Sequence, residues 1–126
     1  MMMGLHRVML LAAASALCAG AAMAAPSTTT ATNRAPYDLA IRCFMANGLA
    51  ARSRTKQGDA VGASVYEANA RMSYGVAGVL GKTYGYSEQQ TDANIKAMQA
   101  SELPRMLKEP GYFKSTITAC RTASLM

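Results

Sequence analysis

The two widely separated cysteines Cys43 and Cys120 constrain the fold of this chain more than any other feature. The third cysteine, Cys18, lies in an N-terminal stretch that we interpret as a removable export signal, which leaves an even pair. In an exported chain such a pair most simply forms a structural disulfide, because redox-active pairs are usually close in sequence, as in Cys-x-x-Cys. A disulfide between them would close nearly the whole domain and contribute about 4 kcal/mol in the chain-entropy model.

Residues 1–24 have the layout of a secretory signal peptide. A short basic segment precedes the apolar, alanine-rich residues 8–22, and the small side chains that follow favour cleavage between Ala24 and Ala25. The apolar stretch is shorter than the ~20 residues of a membrane span, so an uncleaved anchor is the less favoured alternative. Cys18 lies inside this stretch rather than after it, which argues against lipid attachment. We therefore predict a periplasmic or secreted protein that is not integral to the membrane after cleavage.

Removal of the signal changes which kinds of chemistry the chain can perform. The only histidine, His6, is lost with it, which excludes Ser-His-Asp and Cys-His catalysis and histidine-ligated metals or haem. No other catalytic motif is present, so we predict no enzymatic activity, no cofactor and no metal site. Chemistry by tyrosine, serine or carboxylate side chains stays open as a minor alternative.

The charge of the predicted mature chain favours acidic partners. Loss of Arg7 leaves twelve basic residues against seven acidic ones, a net charge of +5. Such a balance suits an anionic envelope surface or another polyanion. It lacks the concentrated basic face of a dedicated nucleic-acid binder, so we predict no nucleic-acid partner.

Residues 25–35 are polar and are predicted to form a flexible N-terminal tail, and residues 36–126 a single helical domain. Proline at the first position starts the first and last helices, at Pro36 and Pro110. The second helix is predicted over Ala60–Thr83, and a capping box opens the third. Short loops favour an all-α, four-helix up-and-down bundle, in which the first and fourth helices are neighbours that the disulfide can join.

Helical spacing predicts which side chains face the core. Two further features affect the helices: Gly48 is expected to let another helix approach closely, and Pro104 is expected to end or kink the third helix near Ser101. The fourth helix is predicted to carry Ser124 on its inner face, in register with Cys120. On the second helix, spacings of four and three residues predict a packed seam formed by Val61, Val65, Ala68, Met72, Gly75 and Val79.

The basic run Arg52, Arg54 and Lys56 is the candidate contact patch for an anion or a membrane surface. The simpler explanation, which we favour on sequence alone, is a solvated helix end whose cations complement the helix dipole. Arg105 and Lys108, with Lys114, would extend the patch only if the fold brought the two ends together.

Four segments of the chain resemble a group of small exported bacterial proteins of unknown function. The likeness would cover most of the mature chain and implies no activity. In size, helicity and single disulfide the chain is also similar to periplasmic acid-stress chaperones, although no motif supports that comparison. The segments are Tyr37 to Phe44, Leu80 to Ser87, Glu102 to Pro104 and Ala119 to Arg121.

These observations favour a non-enzymatic, exported helical protein that acts through contacts with a protein or an envelope surface. Two alternatives remain: a carrier of a small ligand or metal in the bundle interior, and a periplasmic stress chaperone.

Overall fold

The computed structural model describes residues 34–126, which form four packed α-helices joined by short loops. The predicted all-α bundle is confirmed. The predicted signal peptide and residues 25–33 of the predicted tail lie outside the described residues. The helices are α1 (Ala35–Lys56), α2 (Ala60–Thr83), α3 (Glu88–Lys108) and α4 (Pro110–Thr122).

Helix α1 is the centre of the bundle, because it packs against all three other helices and most extensively against α2. Its side chains are buried on several faces, and Tyr37, Ile41, Cys43 and Asn47 are fully buried. The apolar surface of α1 is therefore covered on more than one side.

Three of the helices end in the same way, with a residue in the left-handed conformation. Gly58 follows α1 with φ +74° and Gly85 follows α2 with φ +84°. Ser124 follows α4 with φ 58°, although it is not a glycine. In each case the next residue donates its N–H to the carbonyl five residues earlier, as in the Schellman motif, at 2.8 to 2.9 Å. Ser124 is therefore exposed and beyond the helix, and its predicted place on the inner face of α4 is wrong.

Helix α2 has the predicted ends but presents the opposite face to the core. Asp59 caps it by accepting a hydrogen bond from the Gly62 N–H at 2.8 Å. The predicted seam is wrong, because all six of its residues are exposed, with Val61 80% and Val79 67% accessible. The core face instead carries the small residues Ala63, Ala70, Ser73, Ala77 and Gly81.

Close packing of α2 depends on Gly81. A Cβ atom at this position would lie 2.5 Å from Thr91 Oγ1 of α3 and 3.3 Å from Tyr37 Cε2 of α1. A Cβ on Gly48 would meet no atom within 4 Å, so the predicted close approach at Gly48 is wrong.

Helix α3 begins with the predicted capping box and continues to Lys108. The Ser87 hydroxyl accepts from the Gln90 N–H at 3.1 Å, and the Gln90 side chain accepts from the Ser87 N–H at 2.8 Å. The helix does not end near Ser101 as expected, since Pro104 is accommodated within it. The carbonyl that Pro104 leaves without a helical donor belongs to the exposed Ala100, where water can replace the lost hydrogen bond.

The disulfide joins the first and last helices, as predicted. Cys43 and Cys120 are both fully buried, and their Cα atoms are 5.6 Å apart. The chain beyond α4 is also fixed, because the carbonyl of Leu125 accepts from Asn47 Nδ2 at 2.8 Å and from the Ser73 hydroxyl at 3.4 Å. The end of the described chain is thereby attached to α1 and α2.

We expect Cys43→Ala and Cys120→Ala each to lower the free energy of unfolding by about 4 kcal/mol, because either change opens the same 77-residue loop. The double variant should lose little more than either single variant. Urea titrations with and without a reductant test this, since the reductant should destabilise the wild type and leave the double variant unchanged. Additive losses would contradict a shared bond.

We expect Gly81→Ala to destabilise the fold by about 1–3 kcal/mol, because the new methyl group has no room between Thr91 and Tyr37. Gly48→Ala is the matched control in another helix. It should stabilise the fold by up to about 1 kcal/mol through helix propensity alone. Thermal and urea unfolding of both variants give the comparison, and equal shifts of the same sign would disprove the tight contact.

Candidate functional site

The directions of the four helices bring several of the basic residues to one end of the bundle. Helices α1 and α3 both end there and α4 begins there, so Arg52 of α1 and Leu107 of α3 line the same grooves. The run Arg52, Arg54 and Lys56 therefore lies at the same end as Lys108. The end of α1, the end of α3 and the start of α4 are therefore close together, as an extended basic patch requires.

This end contains an open groove of about 620 Å³, which we call the basic groove. All four helices contribute to its lining, which combines apolar and aromatic side chains with polar and charged ones. Leu107 is 69% exposed and places an apolar side chain at the solvent boundary. The principal apolar and aromatic lining residues are Leu49, Tyr66, Met106, Leu107 and Phe113, and Arg52, Arg54 and Lys56 supply the cations.

Only some of the cations at this end are neutralised by neighbouring carboxylates. Arg54 pairs with Asp59 at 3.5 Å, where both side chains are well exposed. Arg105 pairs with Glu109 at 3.2 Å. The remaining cations make no ion pair within residues 34–126, and their charges are available to an external anion. They are Arg52, Lys56, Lys108 and Lys114.

Tyr112 fastens the start of α4 to α3 and so fixes the corner beside the groove. Its hydroxyl donates a hydrogen bond to Glu102 Oε2. The guanidinium carbon of Arg105 lies 3.8 Å from the centre of the Tyr112 ring, and its Nη1 is 4.0 Å from Glu102. Burial, followed by the hydrogen bond to Glu102, raises the pKa of the Tyr112 phenol above its ordinary value. Arg105 is therefore engaged within the fold.

The opposite end of the bundle carries a second, smaller groove of about 340 Å³ between α2 and α3. Tyr74 lies in its wall and donates a hydrogen bond to Asp92 at 2.9 Å, an interaction that raises the pKa of its phenol. Lys82 and Glu88 add charges of both signs, so this groove has no preferred ligand charge. Residues 34–126 contain no group of three or more His, Cys, Asp or Glu side chains arranged to hold a metal ion.

The cations of the basic groove were predicted from the sequence, and its apolar lining was not. No role in a groove was predicted for Leu107 or Phe113. Their position at the groove follows from the continuation of α3 through Pro104, which carries Leu107 and Lys108 to the end of α1. The pair Leu107-Lys108, an exposed apolar residue beside a cation, was the available signal.

The chain matches no protein-family model, no curated protein and no solved structure. The resemblance to small exported bacterial proteins therefore stays a prediction. Within the described part of the chain, no helix combines the length and hydropathy that a membrane crossing requires.

The hydrogen bond of Tyr112 predicts a pH dependence of stability. Because the folded state raises the phenol pKa, its stabilising contribution is present below the unfolded value of about 10 and is lost as pH rises through the folded value. Tyr112→Phe should cost about 1 kcal/mol at neutral pH, and this difference from the wild type should shrink above pH ~10. Urea titrations followed by circular dichroism over that range measure it. A difference that stays constant into alkaline solution would contradict the role of the phenol proton.

Proposed function

We propose that this protein is an exported, non-enzymatic binding protein that attaches to an anionic lipid surface through the basic groove. The observation that carries the proposal is a groove that combines an exposed Leu107 with the unpaired cations Arg52 and Lys56. Two further unpaired cations, Lys108 and Lys114, directly follow the lining residues Leu107 and Phe113 in the chain. Anionic lipid combines the two matching properties, a dense negative surface and an apolar layer directly beneath it.

The expected strength of attachment follows from the charges and from Leu107. Each basic residue near an anionic lipid surface contributes about 1 kcal/mol, a contribution that salt screens. Burial of the exposed part of Leu107 in the lipid interface adds about 1–2 kcal/mol that salt does not screen. Binding is therefore moderate, reversible and strongly dependent on both lipid charge and ionic strength.

The helix dipoles explain the same cations without any ligand, since α1 and α3 both end at this position. That explanation applies only to cations that lie close to the last carbonyls of a helix. Lys114 lies instead in the second turn of α4, far from any helix C-terminus, so the helix dipole does not account for it. Its position directly after the lining residue Phe113 supports a role directed outward.

Removal of three of these charges should abolish most of the binding. We expect Lys56→Gln, Lys108→Gln and Lys114→Gln together to weaken attachment to phosphatidylglycerol vesicles by about 100-fold, as the loss of three contacts of about 1 kcal/mol predicts. The matched control removes three exposed cations elsewhere, by Lys82→Gln, Lys96→Gln and Arg121→Gln, and should retain most of the binding. Vesicle flotation at several salt concentrations, with phosphatidylcholine vesicles as the uncharged reference, measures both.

Two results would overturn the proposal. One is the absence of any attachment of the wild-type protein to phosphatidylglycerol vesicles at low salt. The other is an equal loss of vesicle attachment in the groove variant and the control variant, which would show that attachment depends only on net charge. Leu107→Ser adds a third arm, since it should weaken attachment at high salt as much as at low salt.

A further inference from the structure

Helix α2 carries an apolar surface that none of the described residues covers. We call it the α2 stripe, and it lies on the side of the helix opposite the core-facing Ala63, Ala70 and Ala77. Its largest side chains are well exposed, at 80% for Val61, 55% for Val65, 43% for Met72 and 67% for Val79. The stripe consists of Val61, Val65, Ala68, Met72, Gly75 and Val79, which are all exposed.

The spacing within the α2 stripe is that of a helix that packs along its length against another helix. Its residues recur at intervals of four, three, four, three and four, which is the heptad pattern of a two-helix seam. An isolated seam of this length would be weak, because each helix would also have to form. In this protein α2 is already held by the bundle, so that cost does not arise.

We propose that the α2 stripe is the interface of a homodimer, in which α2 packs against α2 of a second copy in antiparallel orientation. This inference goes beyond the proposed attachment to lipid and rests on a different surface. The order of side-chain sizes in the α2 stripe and the charges beside it both favour a second copy as the occupant.

The order of side-chain sizes in the α2 stripe is complementary to its own reverse. Because the intervals read the same from either end, an inverted second copy places Val65 opposite Gly75 and Met72 opposite Ala68. In the four central layers a large side chain then meets a small one, and Val61 meets Val79 at each end. A parallel arrangement would instead align Gly75 with Gly75 and Met72 with Met72, which leaves a gap in one layer and crowds the next.

The charges beside the α2 stripe fit the same arrangement. Glu67 and Arg71 are both exposed on one edge of it, and neither makes an ion pair within residues 34–126. In the antiparallel pair, Arg71 of each copy lies about two residues, or about 3 Å along the axis, from Glu67 of the other. The two arginines near the symmetry axis are thereby flanked by two glutamates, and the group of four is neutral.

The first test is the mass of the protein in solution. The full chain is expressed in a bacterial host, purified and examined by sedimentation equilibrium over a wide range of concentration. We expect a dimer that dissociates on dilution. Val65→Glu with Met72→Glu should weaken it at least tenfold, because two exposed apolar side chains of each copy are replaced by charges that face the partner. Glutamate is a good helix former, so circular dichroism and thermal unfolding should show an intact monomer.

The matched control changes two positions of α3, and the orientation test changes one position in each of two chains. Ala97→Glu, with Ala100→Glu, adds the same two charges to exposed alanines of α3 and should leave the dimer unchanged. For the orientation, a chain with Ala68→Cys is mixed with a chain with Met72→Cys under mild oxidation. The antiparallel pair predicts a disulfide-linked dimer of the two different chains, and little linkage of the Ala68→Cys chain to itself, because those positions are separated by about 6 Å along the axis.

Several outcomes would overturn the inference. A single-chain mass at every concentration excludes the dimer, and a dimer unaffected by Val65→Glu with Met72→Glu places the interface elsewhere. Linkage of Ala68→Cys chains only to themselves excludes the antiparallel orientation. If the double glutamate variant loses attachment to phosphatidylglycerol vesicles while the wild type is monomeric, the α2 stripe faces lipid and the homodimer is excluded.

Discussion

The close contact between α1 and α2 is the constraint on which the rest of the bundle depends. Tyr37 of α1 is fully buried, and its Cε2 lies 3.3 Å from the place that a Cβ on Gly81 of α2 would occupy. Helix α2 faces the core with small residues, among them Ala77 and Gly81, and its most exposed valines lie on the other side. Larger side chains on this face would have to displace atoms already in contact, because protein interiors are close-packed. Hydrophobicity alone would have predicted that the valines of α2 face the core.

That contact also explains which features of the fold could be predicted from the sequence. The ends of the helices could be predicted, because Asp59, Ser87 and Gly85 determine them through local hydrogen bonds and backbone conformation. The disulfide could also be predicted, because only two cysteines remain after the predicted export signal is removed. The inward face of α2 could not be predicted, because the sequence contains two stripes of helical period and the choice between them depends on contacts with other helices, such as those of Gly81 with Thr91 and Tyr37. The continuation of α3 beyond Ser101 was missed because proline was given more weight than the solvent that can satisfy Ala100.

The candidate site was predictable in its charges and not in its shape. Arg52, Arg54 and Lys56 are visible as a cluster in the sequence, since they lie within five residues of one another. The apolar and aromatic lining comes from all four helices, and no local pattern connects Leu107 to Tyr66. The basic groove lies at one end of the bundle and the α2 stripe along its flank. A change in one surface therefore leaves the other intact, and the two proposals can succeed or fail separately.

The central position of α1 has a consequence for the order in which the chain is made. Helix α1 precedes every helix that covers it, and the disulfide partner of Cys43 lies 77 residues later in the chain. During synthesis its apolar faces stay without cover until α2, α3 and finally α4 have followed, since contacts between distant segments form only when both are present. The described domain therefore stays open until α4 has been synthesised, and in this state a chaperone can bind its apolar faces. The arrangement that makes the finished domain compact also delays its completion.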